Sequence, residues 1–362
     1  MADTFVQSVL NSEEQSRVDQ LRKVESQAAT RGGGKLQSAN VQSQRIAAPS
    51  DSGETLGIKL TGTAGDETIV GTGGNDDISA LGGNDTVIAL GGNDIVNAGA
   101  GDDNVVAGAG DDRVNGGLGV DVLLGGSGVD TINGNEGNDT LFGDDGNDIL
   151  RGGAGVDKFF GGNGDDQLFG EAGNDQLNGD TGNDTADGGV GNDIVFGGAG
   201  NDNLKGSAGN DQVIGGSGND SLFGDNGNDR LVGVDPFVPE FGLGKGEIDR
   251  LTGGANNDTF VLGGILPNGA KTVFYNDGNS TTKGTQDYAL ITDFGISGGS
   301  KALGVDKIEL AGSQNSYSLG ASPSGLPSGT GIFFGEGELI GIVQDILPSS
   351  LSLANANQFT FV

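Results

Sequence analysis

The chain has 362 residues, with 18 Lys and Arg against 51 Asp and Glu, for a formal net charge of −33. It contains no Cys and no His, which excludes a disulfide framework, zinc–thiolate sites, Ser-His triads and H-E-x-x-H metalloprotease sites. The acidity argues against a nucleic-acid partner, which needs a basic footprint, and no stretch approaches the ~20 apolar residues of a transmembrane segment.

Residues 1–29 are predicted helical. Ser12 followed by Gln15 makes a capping-box pattern, and Val18, Leu21 and Val24 then fall near one face. There is no apolar h-region with a cleavage site after it, so a cleaved N-terminal signal peptide is not predicted. Residues 30–61 are rich in Gly, Ser and Gln and read as linker.

Residues 62–232 are one nine-residue unit written nineteen times without a gap. The unit is G-G-x-G-N-D-x-U-x, with U apolar; residues 188–196 (GGVGNDIVF) and 215–223 (GGSGNDSLF) are good copies. All nineteen have Gly in the fourth place and an apolar residue in the eighth. Eighteen have Asp in the sixth, Glu67 being the exception. Such in-register repetition predicts a solenoid. Three residues centred on U make a short strand. The other six make a turn, in which Gly supplies positive φ and the Asn or Asp of the fifth place tolerates the left-handed region. Val120, Val129 and Val156 depart from the fifth-place pattern. Loop carbonyls together with the sixth-place carboxylate form an oxygen-only, flexible donor set. Calcium fits it best, and magnesium, with its tight octahedron, fits it less well. A disordered Gly-rich linker would not keep the unbroken U column. A metal-free solenoid would stack carboxylates roughly 5 Å apart along its edge.

The repeat resembles the RTX (repeats-in-toxin, hemolysin-type) calcium-binding nonapeptide. That resemblance implies an all-β parallel β-roll in which two repeats make one coil and alternate strands build two facing sheets. Each Ca2+ would lie between a loop and the loop one coil further on. The metal ligands it implies are the sixth-place carboxylates Asp76, Asp85, Asp94, Asp103, Asp112, Asp121, Asp130, Asp139, Asp148, Asp157, Asp166, Asp175, Asp184, Asp193, Asp202, Asp211, Asp220 and Asp229. Nineteen loops make at most seventeen one-coil pairs, and seventeen Ca2+ would set a charge of +34 against the chain's −33. Without ions the chain would repel itself and resist collapse.

After residue 232 the register breaks at Asp235-Pro236. Residues 253–261 (GGANNDTFV) are one decayed repeat, with Asn256 in place of the fourth-place Gly. Residues 233–362 are predicted to be a β-rich cap that hides the end of the roll. Within them, residues 331–344 read as a hairpin. The D-F…G-x-D-K-I-x-L spacing at Asp293, Phe294 and residues 304–310 resembles the region that closes the roll in serralysin-type proteases, whose catalytic domain has no counterpart here. The tail from Asp287 onward is similar to that of cyanobacterial calcium-binding RTX proteins. By the same resemblance, residues 359–362 (FTFV) are a C-terminal signal for the type I ABC-transporter machinery, an edge strand of the cap, or both.

The ninth place shows a second, 18-residue period. It is Val70, Ile88, Val106, Leu124, Phe142 and Phe160 in odd repeats, and Ser79, Asn97, Asn115, Asn133 and Arg151 in the intervening ones. A two-repeat coil predicts this alternation, with one outer face apolar over its first half. Such a face packs on something: the N-terminal helix, the cap, a second copy or an external surface. The functional reading is a secreted calcium-binding β-roll protein without catalysis, folding on many Ca2+ ions outside the cell or at its surface. The alternative is a cell-surface structural or adhesive protein in which the roll is a rigid spacer, with cell-surface polysaccharide or a second copy as partner. A third reading, a carbohydrate-active enzyme, would have to work through Asp287, Asp293 or Asp306.

Overall fold

A computed structural model describes residues 10, 12–31, 42–45, 57–234, 246–265, 271–275, 287–295, 305–335 and 337–362. The break at Asp235-Pro236 and most of the predicted linker lie outside these residues. The chain forms two compact units, Met1–Thr181 and Gly182–Val362. Both are parallel β-rolls. In unit 1, Thr131–Glu136 pairs in parallel with Arg113–Leu118 and Ile149–Ala154 in one sheet, while Thr140–Asp145 pairs with Val122–Ser127 and Lys158–Asn163 in the other. Partners are 18 residues apart, so a coil is two repeats, as the ninth-place alternation predicts. Every U side chain from Ile69 to Leu231 is at most 1% exposed, and these side chains form the spine of the core.

The strands are longer than predicted. Thr140–Asp145 and its neighbours run six residues rather than three. The ladder skips the first-place glycine and resumes on the second place, pairing Phe142 with Phe160 and then Asp144 with Gly162. Positive φ falls at the fourth place, as at Gly137 (+146°) and Gly155 (+148°), and at the second, where Gly99 and Gly117 lie near +120° and Leu81, Leu90, Asn135 and Asp144 adopt +71° to +84° without being glycine. Among the described residues no fifth-place Asn or Asp has positive φ. Its side chain instead accepts a backbone N–H one coil later, as Asn75 does from Asn93 and Asp102 from Val120. Valine can donate in this ladder, as Val120, Val129 and Val156 do, but it has no side-chain oxygen with which to accept. The fourth-place glycine is fixed by close approach. A Cβ on Gly137 or Gly155 would stand 1.5 Å from the carbonyl oxygen of the fourth-place glycine one coil earlier.

The helix Ser12–Arg31 lies on the apolar outer face. Leu10, Val18 and Leu21 pack with Val106, Val122, Leu124, Phe142 and Phe160 in one buried cluster. Phe142 and Phe160 stack with centroids 4.8 Å apart. Polar contacts ring the cluster: Lys158 with Glu14 and Arg22 with Asp144, each at 2.7 Å, and the Arg17 Nε donating to the Asn104 Oδ1 at 2.6 Å. Val24, predicted on the same face, is 37% exposed, past the end of the cluster.

Two strands fall within the predicted linker. Gln42–Arg45 pairs antiparallel with Ile58–Thr61, which then begins the parallel ladder onto Asp77–Gly82. At the other end, Ile248–Ala255, Thr259–Val261, Tyr288–Ile291 and Lys307–Leu310 carry both sheets of unit 2 onward in parallel. The predicted hairpin forms from Gly329–Phe334 and Glu338–Gln344, and Phe359–Phe361 pairs with Lys307–Leu310. No helix among the described residues is long and apolar enough to cross a membrane.

The helix contact yields a test. Phe142→Asn and Phe160→Asn together remove burial worth on the order of 2 kcal/mol each, and 1.4 kcal/mol is about a factor of ten in an equilibrium. Hydrogen exchange around Val18 and Leu21 should quicken by roughly tenfold or more. The calcium concentration for half-folding should barely move, because no loop residue changes. Unchanged protection of the helix would contradict the contact.

Candidate metal centre

The glycine-rich turn brings one sixth-place carboxylate per repeat to the same height on the edge of the roll. All of Asp76 through Asp229 in this place are buried, none more than 3% exposed. The backbone fixes their orientation. From Asp76 to Asp157 and from Asp184 to Asp229, the N–H of each donates to Oδ1 of the next one in its column, at 2.7 Å from Asp94 to Asp112 and at 2.8 Å from Asp103 to Asp121 and from Asp193 to Asp211. Each unit thus holds two columns of carboxylates at 18-residue spacing, one along each row of loops.

The second oxygen is different. Oδ2 of every sixth-place residue from Asp85 to Asp157, and of Asp211, Asp220, Asp229 and Asp258, is buried with no hydrogen-bond partner. Burying an ionised carboxylate oxygen unpaired costs several kcal/mol. The ion pairs Arg22–Asp144, Lys59–Asp77, Arg151–Glu171, Lys158–Glu14 and Arg230–Glu309 use no sixth-place Asp. Burial pushes these carboxyls up against the lowering effect of the backbone N–H: Asp112 to about 6, Asp139 to about 7 and Asp94 to about 8, with like charges one coil away adding to the last two. The donor set is therefore oxygen-only, anionic and buried, which suits a hard divalent cation of flexible coordination. No three acidic side chains converge among the described residues, so a cation here must draw further oxygens from the loop carbonyls.

Asp76 stands apart from the other predicted ligands. It accepts the N–H of Ile58 at Oδ1 and that of Thr72 at Oδ2, both at 2.6 Å, so the first loop saturates it. Three column members were not among the predicted ligands, although Asp258 is the sixth place of the decayed repeat 253–261. Asp249, Asp258 and Asp306 accept the N–H of Asp220, Asp229 and Asp258 at 2.9, 2.9 and 3.0 Å. The insertion before Asp249 changes the spacing from 18 to 29, which hides the period. The surviving signal is the local pattern of carboxylate, any residue, apolar residue in Asp249-Arg250-Leu251 and Asp306-Lys307-Ile308.

The three carboxylates considered for glycan chemistry are in structural use or buried. Asp293 accepts the N–H groups of Gly253 and Gly254 at 2.9 and 2.7 Å, Asp306 accepts those of Asp258 and Gly295, and Asp287 is 2% exposed.

The family model of the RTX calcium-binding nonapeptide repeat matches residues 61–96, 88–123, 97–132, 124–159, 160–195, 169–204, 196–231 and 243–264. The last match covers Asp249 and the decayed repeat 253–261. No curated protein matches the chain. Among solved structures, one similar chain is the extracellular lipase LipA from Serratia marcescens, at 18% identity over 67% of this chain, with a TM-score of 0.20. The alignment spans 40% of the lipase, and a likeness of this degree carries nothing about activity.

The raised carboxyl pKa values set the pH response of the chain in chelator. A carboxyl whose folded pKa lies above its unfolded value binds protons more tightly when folded. The roll is therefore favoured below the ordinary carboxylate range and loses stability as pH rises through the folded values, here from about 6 to about 8. Without calcium, β-content by circular dichroism should increase between pH 8 and pH 5. Loss of β-content on that acidification would contradict the buried columns.

Proposed function

The chain belongs to the RTX calcium-binding nonapeptide repeat family, and from that premise we propose that it is a secreted, non-catalytic protein whose β-roll is completed by many Ca2+ ions outside the cell. The observation that carries the reading is the run of buried Oδ2 atoms without a protein partner, one per repeat from Asp85 to Asp157 and again from Asp211 to Asp229. These carboxylates, with the equivalent Asp166, Asp175, Asp184, Asp193 and Asp202, would hold the ions between successive loops. Bound calcium would supply the positive charge that the −33 chain lacks. The chain's own part is to fix each carboxylate through the Asp N–H of the preceding coil, and to exclude water with the U column and the edge-on stacking of the loops.

Export follows the same physics. Where free calcium is scarce, the carboxylates repel one another and the chain stays extended and transportable. In millimolar calcium, ions that bind only the folded form pull it into the roll. The absence of catalysis is supported by the structural use of Asp293 and Asp306 and the burial of Asp287.

Two measurements test the reading. In a calcium titration followed by circular dichroism, Asp121→Asn and Asp139→Asn should each raise the midpoint for β-formation several-fold, and magnesium should not replace calcium. Fractionation of cells that make the native protein should find it in the medium or on the surface. Midpoints unmoved by both substitutions would overturn the ligand assignment, and retention in the cytoplasm would overturn the export reading.

A further inference from the structure

The second oxygens of the column carboxylates fall into two sets. Inside the columns, those of Asp211, Asp220 and Asp229 have no protein partner. At the ends, each is taken by a donor of the chain itself. In unit 1, Glu67 Oε2 accepts the Thr63 N–H at 2.9 Å and Asp76 Oδ2 accepts the Thr72 N–H. In unit 2, Asp306 Oδ2 accepts the Gly295 N–H at 2.6 Å. At these three ends a backbone N–H satisfies the carboxylate oxygen.

The fourth end, at Asp249, is closed by a side chain carried in from outside the ladder. Asp249 is built like an interior site. Its Oδ1 accepts the Asp220 N–H, and its Oδ2 lies 2.3 Å from where a Cβ on Gly233 would stand, as Asp220 Oδ2 does from Gly215. Here, however, the Tyr275 hydroxyl donates to Oδ2, and its oxygen would be 1.8 Å from that same Gly233 Cβ. The phenol thus fills the space between Gly233 and the carboxylate. It is delivered by a short antiparallel pair, Gly263–Ile265 with Lys271–Val273, anchored by the Phe274 N–H on the Leu262 carbonyl at 3.0 Å. A φ of +57° at Tyr275 turns the ring inward, and both Tyr275 and Asp249 have no exposed surface. Positive φ is costly for a bulky aromatic residue and persists where the surroundings enforce it.

We propose that Tyr275 is the stopper of this calcium column: its hydroxyl stands at Asp249 where an ion stands at the interior loops, so Asp249 binds no calcium although its sequence continues the repeat. The proposal rests on the reading of the interior carboxylates as calcium ligands. It means that this end of the column is closed by a side chain rather than by an ion.

Native mass spectrometry of the full chain folded in calcium counts the ions directly, and four proteins decide the matter. Wild type and Asp249→Asn should carry the same number. Tyr275→Phe, which keeps the ring but frees Oδ2, should carry one more. Asp211→Asn, inside the other column of unit 2, should carry at least one fewer. Loss of an ion in Asp249→Asn, or a Tyr275→Phe count equal to or below wild type, would overturn the stopper. If Tyr275→Phe does not fold, Asp249→Asn decides alone. A full count in Asp211→Asn would instead overturn the ligand assignment and leave the contact of Tyr275 as a purely structural one.

Discussion

The structure depends on one constraint: a carboxylate from every repeat is buried, and those from Asp85 to Asp157 and from Asp211 to Asp229 each have an oxygen that no group of the chain satisfies. Coulomb repulsion along such a column and the desolvation of each oxygen both oppose folding. The favourable side is thin. One U side chain per nine residues, on strands rich in glycine, must offset about 1–2 kcal/mol of backbone entropy for every residue ordered. Hydrophobic burial alone leaves this roll marginal. On the proposed reading, cations in the columns would remove the repulsion and supply the missing bonds at once, making folding and metal binding one process.

The rest of the fold is arranged around that process. Fourth-place glycines let successive loops approach within a carbonyl's reach, which brings the carboxylates into register. The fifth-place Asn and Asp ladder runs opposite to the sixth-place one, so each loop is held from both directions. The apolar outer face is closed by the helix Ser12–Arg31, whose Arg17 guanidinium also donates to the carbonyl of Asp103 at 3.1 Å, in one of the column loops. The face on which the helix packs is built from several stacked coils, from Val106 to Phe160.

Much of this was legible in the sequence because the repeat is written in chemistry rather than in composition. The U column, the sixth-place carboxylates, the two-repeat coil and the need for something to cover Phe142 and Phe160 all follow from fixed spacings. What was not legible has physical causes. Strand length was underestimated because the second-place residues, including Leu81 and Asp144 at positive φ, still join the ladder. The fifth-place residue was explained by backbone tolerance, whereas its side-chain oxygen is what the fold uses. The role of Asp249 was hidden by an insertion, and that of Tyr275 by its position on a separate excursion of the chain. Asp76, identical to its neighbours in sequence, differs because the Thr72 N–H takes its Oδ2. End effects of this kind depend on what lies next to the last coil, which a repeat pattern does not encode.

The central claim is that the buried columns forbid the compact state until cations fill them. Small-angle X-ray scattering at neutral pH measures this most directly. In chelator the radius of gyration should approach the roughly 70 Å of an unfolded chain of this length, and in millimolar calcium it should fall by half or more toward compact dimensions. An equally compact chain in chelator and in calcium would contradict the account.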